Sequence, residues 1–493
     1  MSRGRYFMPA LLAALAGCSL APEYRRPDVT VPANYKEAGP WQPAAPADAS
    51  LRGDWWRDFG DPTLDALEER LDRVNPDLAA AADRYTAARA FAAAARAGLF
   101  PEVDAAAATT RNRQSDHRPL RGTNQPDEYR DQLLGAQLGY ELDLWGRVRS
   151  LIAAGRAGAQ ASAADLASVR LSLHAELADD YIVLRRLDAE AKLLADTVEA
   201  YDKALTLTQN RFRGGIASEL DVARAQAQLD GARAQAEDVA ARRALYEHAI
   251  ASLVGTPASQ FRLSAEVVEL RVPAIPRGVP STLLERRPDV AAAERRTAAA
   301  NAEIGVARAA FFPSVTLTAT GGFESDGSAS WLSAPTGFWS IGPRAVLTLF
   351  DAGRRGAHER AAEAVFAEAS ERYRATVLIA FQQVEDQLAL LHHLGAEVRH
   401  AEAAVTATER ALTLALDRYR NGAVSYLEVV DAQASALAAQ RNALELHDRQ
   451  LEASVGLIRA LGGGWSADED PAVTANIAAG PKSSAEPPAP PRR

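Results

Sequence analysis

Apolar positions recur every seven residues along two long stretches of the chain. They lie at Leu184, Ala191, Val198, Leu205 and Phe212 in the first stretch, and at Leu391, Val398, Val405, Leu412 and Tyr419 in the second. Such a heptad repeat is typical of long helices that pack lengthwise against their neighbours. The pattern predicts helices over about 147–211 and 354–418, each roughly 100 Å long at about 1.5 Å per residue.

The two predicted helices belong to a duplicated sequence. The segments that return in the same order are RFRGGIASELDVARAQ at 211–226 and RYRNGAVSYLEVVDAQ at 418–433, Pro76 and Pro288, and Phe100 and Phe312. They predict a first repeat at 64–262, a linker at 263–280 and a second repeat at 281–464. We expect each repeat to contain a helix, two strands, the very long helix and a returning helix.

A turn with recognisable chemistry follows each long helix. A glycine stands where a left-handed residue commonly ends a helix, and a serine with an acidic residue three positions later predicts a capping box. These residues are Gly215, Ser218 and Asp221 in the first repeat, and Gly422, Ser425 and Glu428 in the second. Both turns are therefore predicted to be tips of helical hairpins, and taken alone they also fit an ordinary structural turn.

Strands are predicted where apolar and polar residues alternate. The apolar positions are Val315, Leu317 and Ala319; Trp339, Ile341, Ala345, Leu347 and Leu349; and Leu134, Ala136, Leu138, Tyr140, Leu142 and Leu144. A half-buried soluble sheet shows the same alternation. Four strands cannot close a barrel, which needs about eight, and open edges are not tolerated in lipid. If the strands span a membrane, several copies of the chain must form one barrel, and this arrangement points to a channel.

Composition and motifs argue against several other classes of protein. The 493 residues include 55 basic and 64 acidic side chains, for a net charge of −9, and one cysteine. The acidity disfavours a nucleic-acid binder, and one cysteine cannot form an internal disulfide or a Cys-rich zinc site. The sequence contains no HExxH, GxSxG, Walker or dinucleotide motif, so we expect neither an enzyme nor a cofactor. His393, Glu397 and His400 share one helical face, for which a solvated surface is favoured over a metal site.

The N-terminus predicts export and lipid attachment. Arg3 and Arg5 precede a short apolar stretch, so residues 1–17 are predicted to be a signal peptide. The run Leu-Ala-Gly-Cys ending at Cys18 resembles a bacterial lipobox, in which the cysteine is acylated, and Ser19 fits sorting to the outer membrane. The segment 18–63 is then a lipidated, extended N-terminal arm. At the other end, the Pro-rich tail 465–493 is predicted to be disordered.

Taken together, these features resemble the TolC superfamily of outer-membrane efflux proteins. The segment WWRDFGDP at 55–62 is similar to the opening motif of its lipoprotein branch, which includes the OprM-like and NodT-like outer components of RND tripartite pumps. The resemblance implies a mainly α protein with a membrane β-barrel, in which a homotrimer forms an α-barrel tunnel and a twelve-strand β-barrel. It also implies a lipid anchor in the outer membrane of a Gram-negative bacterium and extension into the periplasm. A periplasmic adaptor and an inner-membrane RND pump, the part that mainly selects the substrate in multidrug efflux, would be the partners.

The resemblance also assigns a role to the hairpin tips. Family members close the periplasmic mouth with acidic or ion-paired residues there. Asp417 stands where the first repeat has Asn210, whereas Arg213 and Arg420 correspond. Our hypothesis is an anionic gate formed by three copies of Asp417 with Arg420 nearby, and the alternative is an ordinary solvated carboxylate. The candidates for adaptor docking or for holding neighbouring hairpins together are Arg211, Phe212, Gly215, Ser218, Arg418, Tyr419, Gly422 and Ser425.

Two other functions fit part of the pattern. The outer-membrane component of a type I protein-secretion system has the same fold, but the lipobox and the WWRDFGDP motif favour the efflux branch. A non-conducting periplasmic coiled-coil scaffold lipoprotein would account for the heptads and the lipid anchor, but it would not need four alternating strands.

Overall fold

The computed structural model describes residues 20–37, 53–117, 126–273, 286–327 and 331–465. Cys18, the predicted signal peptide and most of the Pro-rich tail lie outside these residues. Within them, no helix carries an apolar stretch long enough to cross a membrane.

The order helix, two strands, long helix and returning helix occurs in both halves, and in the described residues the first half has an additional helix in front. The first half contains α1 (Pro62–Val74), α2 (Pro76–Ala97), β1 (Glu102–Arg113), β2 (Glu128–Glu141), α3 (Arg147–Arg213) and α4 (Glu219–Leu253). The second half contains α5 (Pro288–Ala309), β3 (Ser314–Ser325), β4 (Gly337–Val346), α6 (Arg354–Arg420) and α7 (Tyr426–Ala460). The long helices α3 and α6 each have 67 residues, and the returning helices α4 and α7 each have 35. The predicted long helices are thus confirmed, and each extends two residues beyond its predicted end.

The chain divides into two compact units, and each unit takes residues from both halves of the sequence. Among the described residues, the first unit comprises 20–28 and parts of 85–162 and 293–373. The second unit draws on 29–84, 163–292 and 374–465. The four strands belong to the first unit, and the hairpin tips belong to the second.

In the first unit the strands form one antiparallel sheet in the order β1-β2-β3-β4. The strand predictions were too long at two ends, because Leu142 and Leu144 lie beyond β2, and Leu347 and Leu349 lie beyond β4. Val346 pairs with Ser314, the first residue of β3, so the residues after Val346 have no partner strand. After β2, the carboxylate of Asp143 accepts hydrogen bonds from the N–H groups of Val148 and Arg149, at 2.9 and 3.0 Å, and the chain turns into α3.

In the second unit, apolar side chains pack along the helical hairpins. α3 meets α4 through Val183, Leu187, Leu194 and Val239, and α6 meets α7 through Leu394, Ala401, Leu446 and Ala453. Near the tips the core takes in all four helices, with Tyr201, Leu205, Leu229, Tyr419, Tyr426 and Val429 among its members. The prediction is wrong at one apolar position of the heptad repeat, because Phe212 is 44% exposed whereas its counterpart Tyr419 is 4% exposed.

Candidate functional site

One face of the sheet is apolar across all four strands. Side chains of directly paired residues in neighbouring strands lie on the same face. Three consecutive rows on this face are Val103, Leu138, Ala319 and Ile341; Ala105, Ala136, Gly321 and Trp339; and Ala107, Leu134, Phe323 and Gly337. Val103, Ile341 and Trp339 are 66%, 65% and 80% exposed. A continuous apolar surface of this kind on a single chain marks a contact with lipid or with another protein.

The opposite face is mainly polar. Its rows include Glu102, Gly139, Thr318 and Gly342; Asp104, Gln137, Thr320 and Ser340; and Glu141, Thr316 and Arg344. Leu133 and Phe338 add apolar area further along the same face. Because one face is apolar across all four strands and the other is mainly polar, the sheet separates an apolar environment from a hydrated one.

The two hairpin tips share a turn but differ in their capping. Gly215 and Gly422 both have a φ of 74°, the left-handed conformation that the sequence predicts. Ser218 and Asp221 form the predicted capping box, with the Asp221 N–H donating to the Ser218 hydroxyl at 3.2 Å and the Ser218 N–H donating to the Asp221 carboxylate at 3.1 Å.

The matching prediction for the second tip is wrong. Ser425 precedes α7, but its side chain makes no capping hydrogen bond. The acidic residue in this tip is a glutamate, which is longer than aspartate, and Glu428 lies 3.7 Å from the guanidinium of Arg418. The carboxylate that would close the capping box therefore faces the end of the preceding helix.

An arginine at the first tip contacts the second tip. Arg211 Nη1 donates to the main-chain carbonyl of Tyr419 at 2.6 Å, and its guanidinium carbon lies 4.5 Å from the centroid of the Tyr419 ring. The Tyr419 hydroxyl lies 3.3 Å from Thr208 Oγ1. Arg211 and Thr208 belong to α3 and Tyr419 to α6, so these contacts join the two repeats.

The gate candidates form equivalent contacts within each tip. Arg420 lies 3.4 Å from the Asp417 carboxylate, three residues earlier on α6. Arg213 donates to the side-chain oxygen of Asn210 at 2.7 Å, with the same spacing on α3. Asp417 and Arg420 are about 60% exposed, with side-chain values of 59% and 62%. The second tip therefore presents a solvated carboxylate where the first presents an amide.

Sequence reasoning missed a buried ionic cluster on α1 and α3. His174 Nδ1 lies 2.6 Å from Glu68, its Nε2 lies 3.0 Å from Asp72, and Arg170 donates to Asp72 at 2.6 Å. The ring of Trp56 stacks on the imidazole at 4.4 Å and 14°. Glu68 and Asp72 are four residues apart on one helix, as are Arg170 and His174 on the other, and this complementary spacing was the signal available in the sequence.

Burial, hydrogen bonds and neighbouring charges shift the pKa values of three residues in this cluster. Burial raises the pKa of Glu68 to about 7, against the hydrogen bond and charge of His174. Burial alone would lower the pKa of His174, but the hydrogen bonds and charges of Asp72 and Glu68 outweigh it and raise that pKa. For Asp72, burial is outweighed by hydrogen bonds from Arg170 and His174, so its pKa is lowered. The contacts of His174 with Glu68 and Asp72 therefore fix α1 to α3.

The described residues contain no group of three or more His, Cys, Asp or Glu side chains arranged to hold a metal ion. His393 and its neighbour His392 have their rings 5.1 Å apart, edge to face. The candidate chemistry of the chain thus lies in the two-faced sheet and in the hairpin tips.

Duplicated long helical hairpins and an amphipathic four-stranded sheet in one chain are typical of a class of protein, the outer-membrane channels. The family model described as "Outer membrane efflux protein" matches residues 68–256 and 279–463. The chain belongs to this family. It is accordingly an outer-membrane channel that serves as the exit duct of an efflux pump, and not an enzyme.

Individual relatives agree with this assignment. The toluene efflux pump outer membrane protein TtgF of Pseudomonas putida is 33% identical over 476 residues, which cover 93% of this chain and 97% of TtgF. The pyoverdine export outer membrane protein OpmQ of Pseudomonas putida is 34% identical over 443 residues, which cover 87% of this chain and 92% of OpmQ. The crystal structure of the CmeC outer membrane channel of Campylobacter jejuni matches with a TM-score of 0.88 at 25% identity, over 93% of this chain and 99% of CmeC.

Proposed function

We propose that three copies of the chain form one closed channel, with a twelve-strand barrel in the outer membrane and a tunnel of long helices in the periplasm. The observation that carries this proposal is the apolar face that runs unbroken across all four strands. In the described chain, β1 and β4 each pair with only one strand. Lipid does not tolerate such open edges, and twelve strands exceed the about eight that closure needs.

The polar face of the sheet would then line the water-filled interior. The row Asp104, Gln137, Thr320 and Ser340 offers small or hydrogen-bonding side chains to a passing molecule. Nothing in such a lining supplies energy, so transport through it is passive. The driving step belongs to an inner-membrane RND pump, to which a periplasmic adaptor connects the tips.

The names of the relatives favour a duct whose substrate is selected by the inner-membrane pump and not by this chain. TtgF is named for toluene and OpmQ for pyoverdine, two molecules that share little chemistry. Passive ducts of one architecture can conduct both molecules if the inner-membrane pump selects the substrate. We therefore propose that this chain conducts whatever small molecules its pump delivers, and that acylation at Cys18 anchors it to the outer membrane.

The hairpin tips would form the gate at the periplasmic end. Three Asp417 carboxylates related by the symmetry of the trimer would form an anionic ring that favours cations and repels itself, with Arg420 reducing that repulsion. Arg213 holds the equivalent place at the first tip. The contact of Arg211 with Tyr419 would keep the two hairpins of one copy together while the gate is closed. The other tip residues, Phe212, Gly215, Ser218, Arg418, Gly422 and Ser425, would shape the surface on which the adaptor docks.

Native mass spectrometry of the detergent-extracted protein tests the assembly. The proposal expects a particle of three chains that survives in mild detergent and separates on heating. A folded protein that stays a single chain at all concentrations would contradict it and favour a non-conducting scaffold.

A further inference from the structure

A cavity of about 250 Å³ lies near the hairpin tips, between α3, α6 and α7. Its walls include Tyr201, Tyr419, Tyr426, Leu412, Leu416 and Gln433. An apolar cavity of about 150 Å³ is large enough to bind benzene. This cavity therefore has room for one aromatic ring with a small substituent, but it is too small for most drug-sized molecules.

One side-chain oxygen in the wall lacks a partner among the described residues. Gln433 is 4% exposed, and no donor among the described residues reaches its Oε1. An unpaired buried amide oxygen is costly, which makes it a ready site for an incoming hydrogen-bonding group. The equivalent glutamine of the first repeat is satisfied, since Gln226 is exposed and donates to Asp230 at 2.8 Å. The same residue type at the same place in the repeat therefore has two different environments.

The three tyrosines of the lining are also not repeated at the equivalent positions of the other repeat. In the other repeat, the counterparts of Tyr201, Tyr419 and Tyr426 are Thr408, Phe212 and Glu219. The rings of Tyr419 and Tyr426 lie 5.3 Å apart in an edge-to-face arrangement. Aromatic side chains arranged in this way present both ring faces and ring edges, which suit a further aromatic ring.

The charges at the rim favour a neutral ligand. Lys203 pairs with Glu199 at 2.5 Å and Arg420 with Asp417 at 3.4 Å, so both cations already have a carboxylate. A hydroxyl group both donates and accepts, so it can satisfy the Gln433 amide in either of its two orientations.

We propose that this cavity is a binding site for a neutral phenol, with the ring packed beside the tyrosines and the hydroxyl on the amide of Gln433. A phenol is uncharged at neutral pH, since its pKa is about 10. Because the lining comes from α3, α6 and α7, the bound molecule contacts both helical hairpins of one chain.

Fluorine NMR of the full-length protein in amphipol tests the site, with 4-fluorophenol and 4-fluorotoluene as probes. The proposal expects the phenol to bind more tightly than the toluene. Gln433→Leu should weaken phenol binding about threefold to tenfold, and should leave toluene binding unchanged within about twofold. Gln226→Leu is the matched control and should change neither affinity, because that amide is exposed in the other repeat.

A second variant tests the location. Ala436 lines the cavity and is 3% exposed, so Ala436→Phe should fill the space and abolish binding of both probes. If the two probes bind equally well, or if phenol binding survives Gln433→Leu unchanged, the proposal is wrong. If the larger side chain at 436 prevents folding, the comparison of Gln433→Leu with Gln226→Leu decides alone.

Discussion

The guanidinium of Arg211 covers the ring of Tyr419 and also binds the main-chain carbonyl of that residue. Tyr419 is buried at 4% exposure, so the contact takes place largely out of water. It links the last turn of α3 to the last turn of α6, although the two residues are not equivalent, since the counterpart of Arg211 is Arg418 and that of Tyr419 is Phe212. Each repeat thus supplies one partner of the contact: the first supplies the guanidinium, and the second supplies the ring and the carbonyl.

We predict that Arg211→Gln shifts the tips toward an open arrangement. A partly desolvated cation–π contact together with a charged hydrogen bond stabilises by about 1–3 kcal/mol. Its loss should raise the open fraction roughly 5-fold to 150-fold, measured as single-channel conductance. Arg418→Gln is the control, because Arg418 forms an exposed pair with Glu428 at 3.7 Å, and little change is expected there. Equal effects of the two variants would contradict the proposal that the contact of Arg211 with Tyr419 keeps the tips closed.

Asp417→Asn makes the second tip copy the first, which has Asn210. We expect cation selectivity to fall, because the ring of carboxylates would be lost while the shape of the side chain is kept. The reciprocal variant Asn210→Asp should increase the selectivity. Reversal potentials in a salt gradient measure both. Unchanged potentials in the two variants would mean that Asp417 is an ordinary solvated residue.

The buried cluster predicts a stability that falls as the pH rises. The pKa of Glu68 is raised from its ordinary value of 4.5 to about 7, and the pKa of His174 is raised from 6.5. In both cases the folded state holds the proton more tightly. Stability from Glu68 is therefore lost between about pH 4.5 and 7, and stability from His174 is lost as the pH rises through its raised pKa. Asp72 acts in the opposite sense only at acidic pH, since its pKa is lowered.

The measurement for this cluster is the apparent Tm at pH 6 and at pH 9. We expect a decrease of roughly 3–8 °C for the wild type and a smaller decrease for His174→Gln. His248 lies on α4 with an exposed side chain, so His248→Gln is the control and should keep the wild-type dependence. An identical decrease of the Tm in all three proteins would show that the cluster does not cause the pH dependence.

The two faces of the sheet predict opposite responses at adjacent residues of β4. Trp339→Arg places a charge on the apolar face, at about 2–4 kcal/mol per chain if the residue lies near the membrane midplane. We expect loss of the trimer from the outer-membrane fraction. Ser340→Arg adds the same charge to the polar face and should assemble normally. Assembly of both variants, or of neither, would contradict the assignment of the faces.

Much of the helical architecture could be predicted because its signals are local. Heptad spacing located α3 and α6, and the glycines at 215 and 422 take the left-handed conformation that a helix end requires. The Ser218 capping box also depends on residues only three positions apart. The local signal failed at Ser425. Its expected capping partner, Glu428, faces Arg418 instead.

Contacts between distant segments were harder to predict. β1 contains four successive alanines at 105–108, which carry no alternation, and its position follows only from its pairing with β2. His174 and Glu68 are 106 residues apart, so the four-residue spacing of the charges on each helix does not by itself show that the two helices meet. The burial of Tyr419 and the exposure of Phe212 likewise depend on which neighbouring helix each one meets.

Conductance of the purified protein in a planar bilayer tests the central claim that this chain forms a gated channel. The account predicts small, cation-selective currents from the wild type, larger currents from Arg211→Gln and loss of selectivity in Asp417→Asn. A folded oligomer that never conducts, as wild type or as either variant, would contradict the claim.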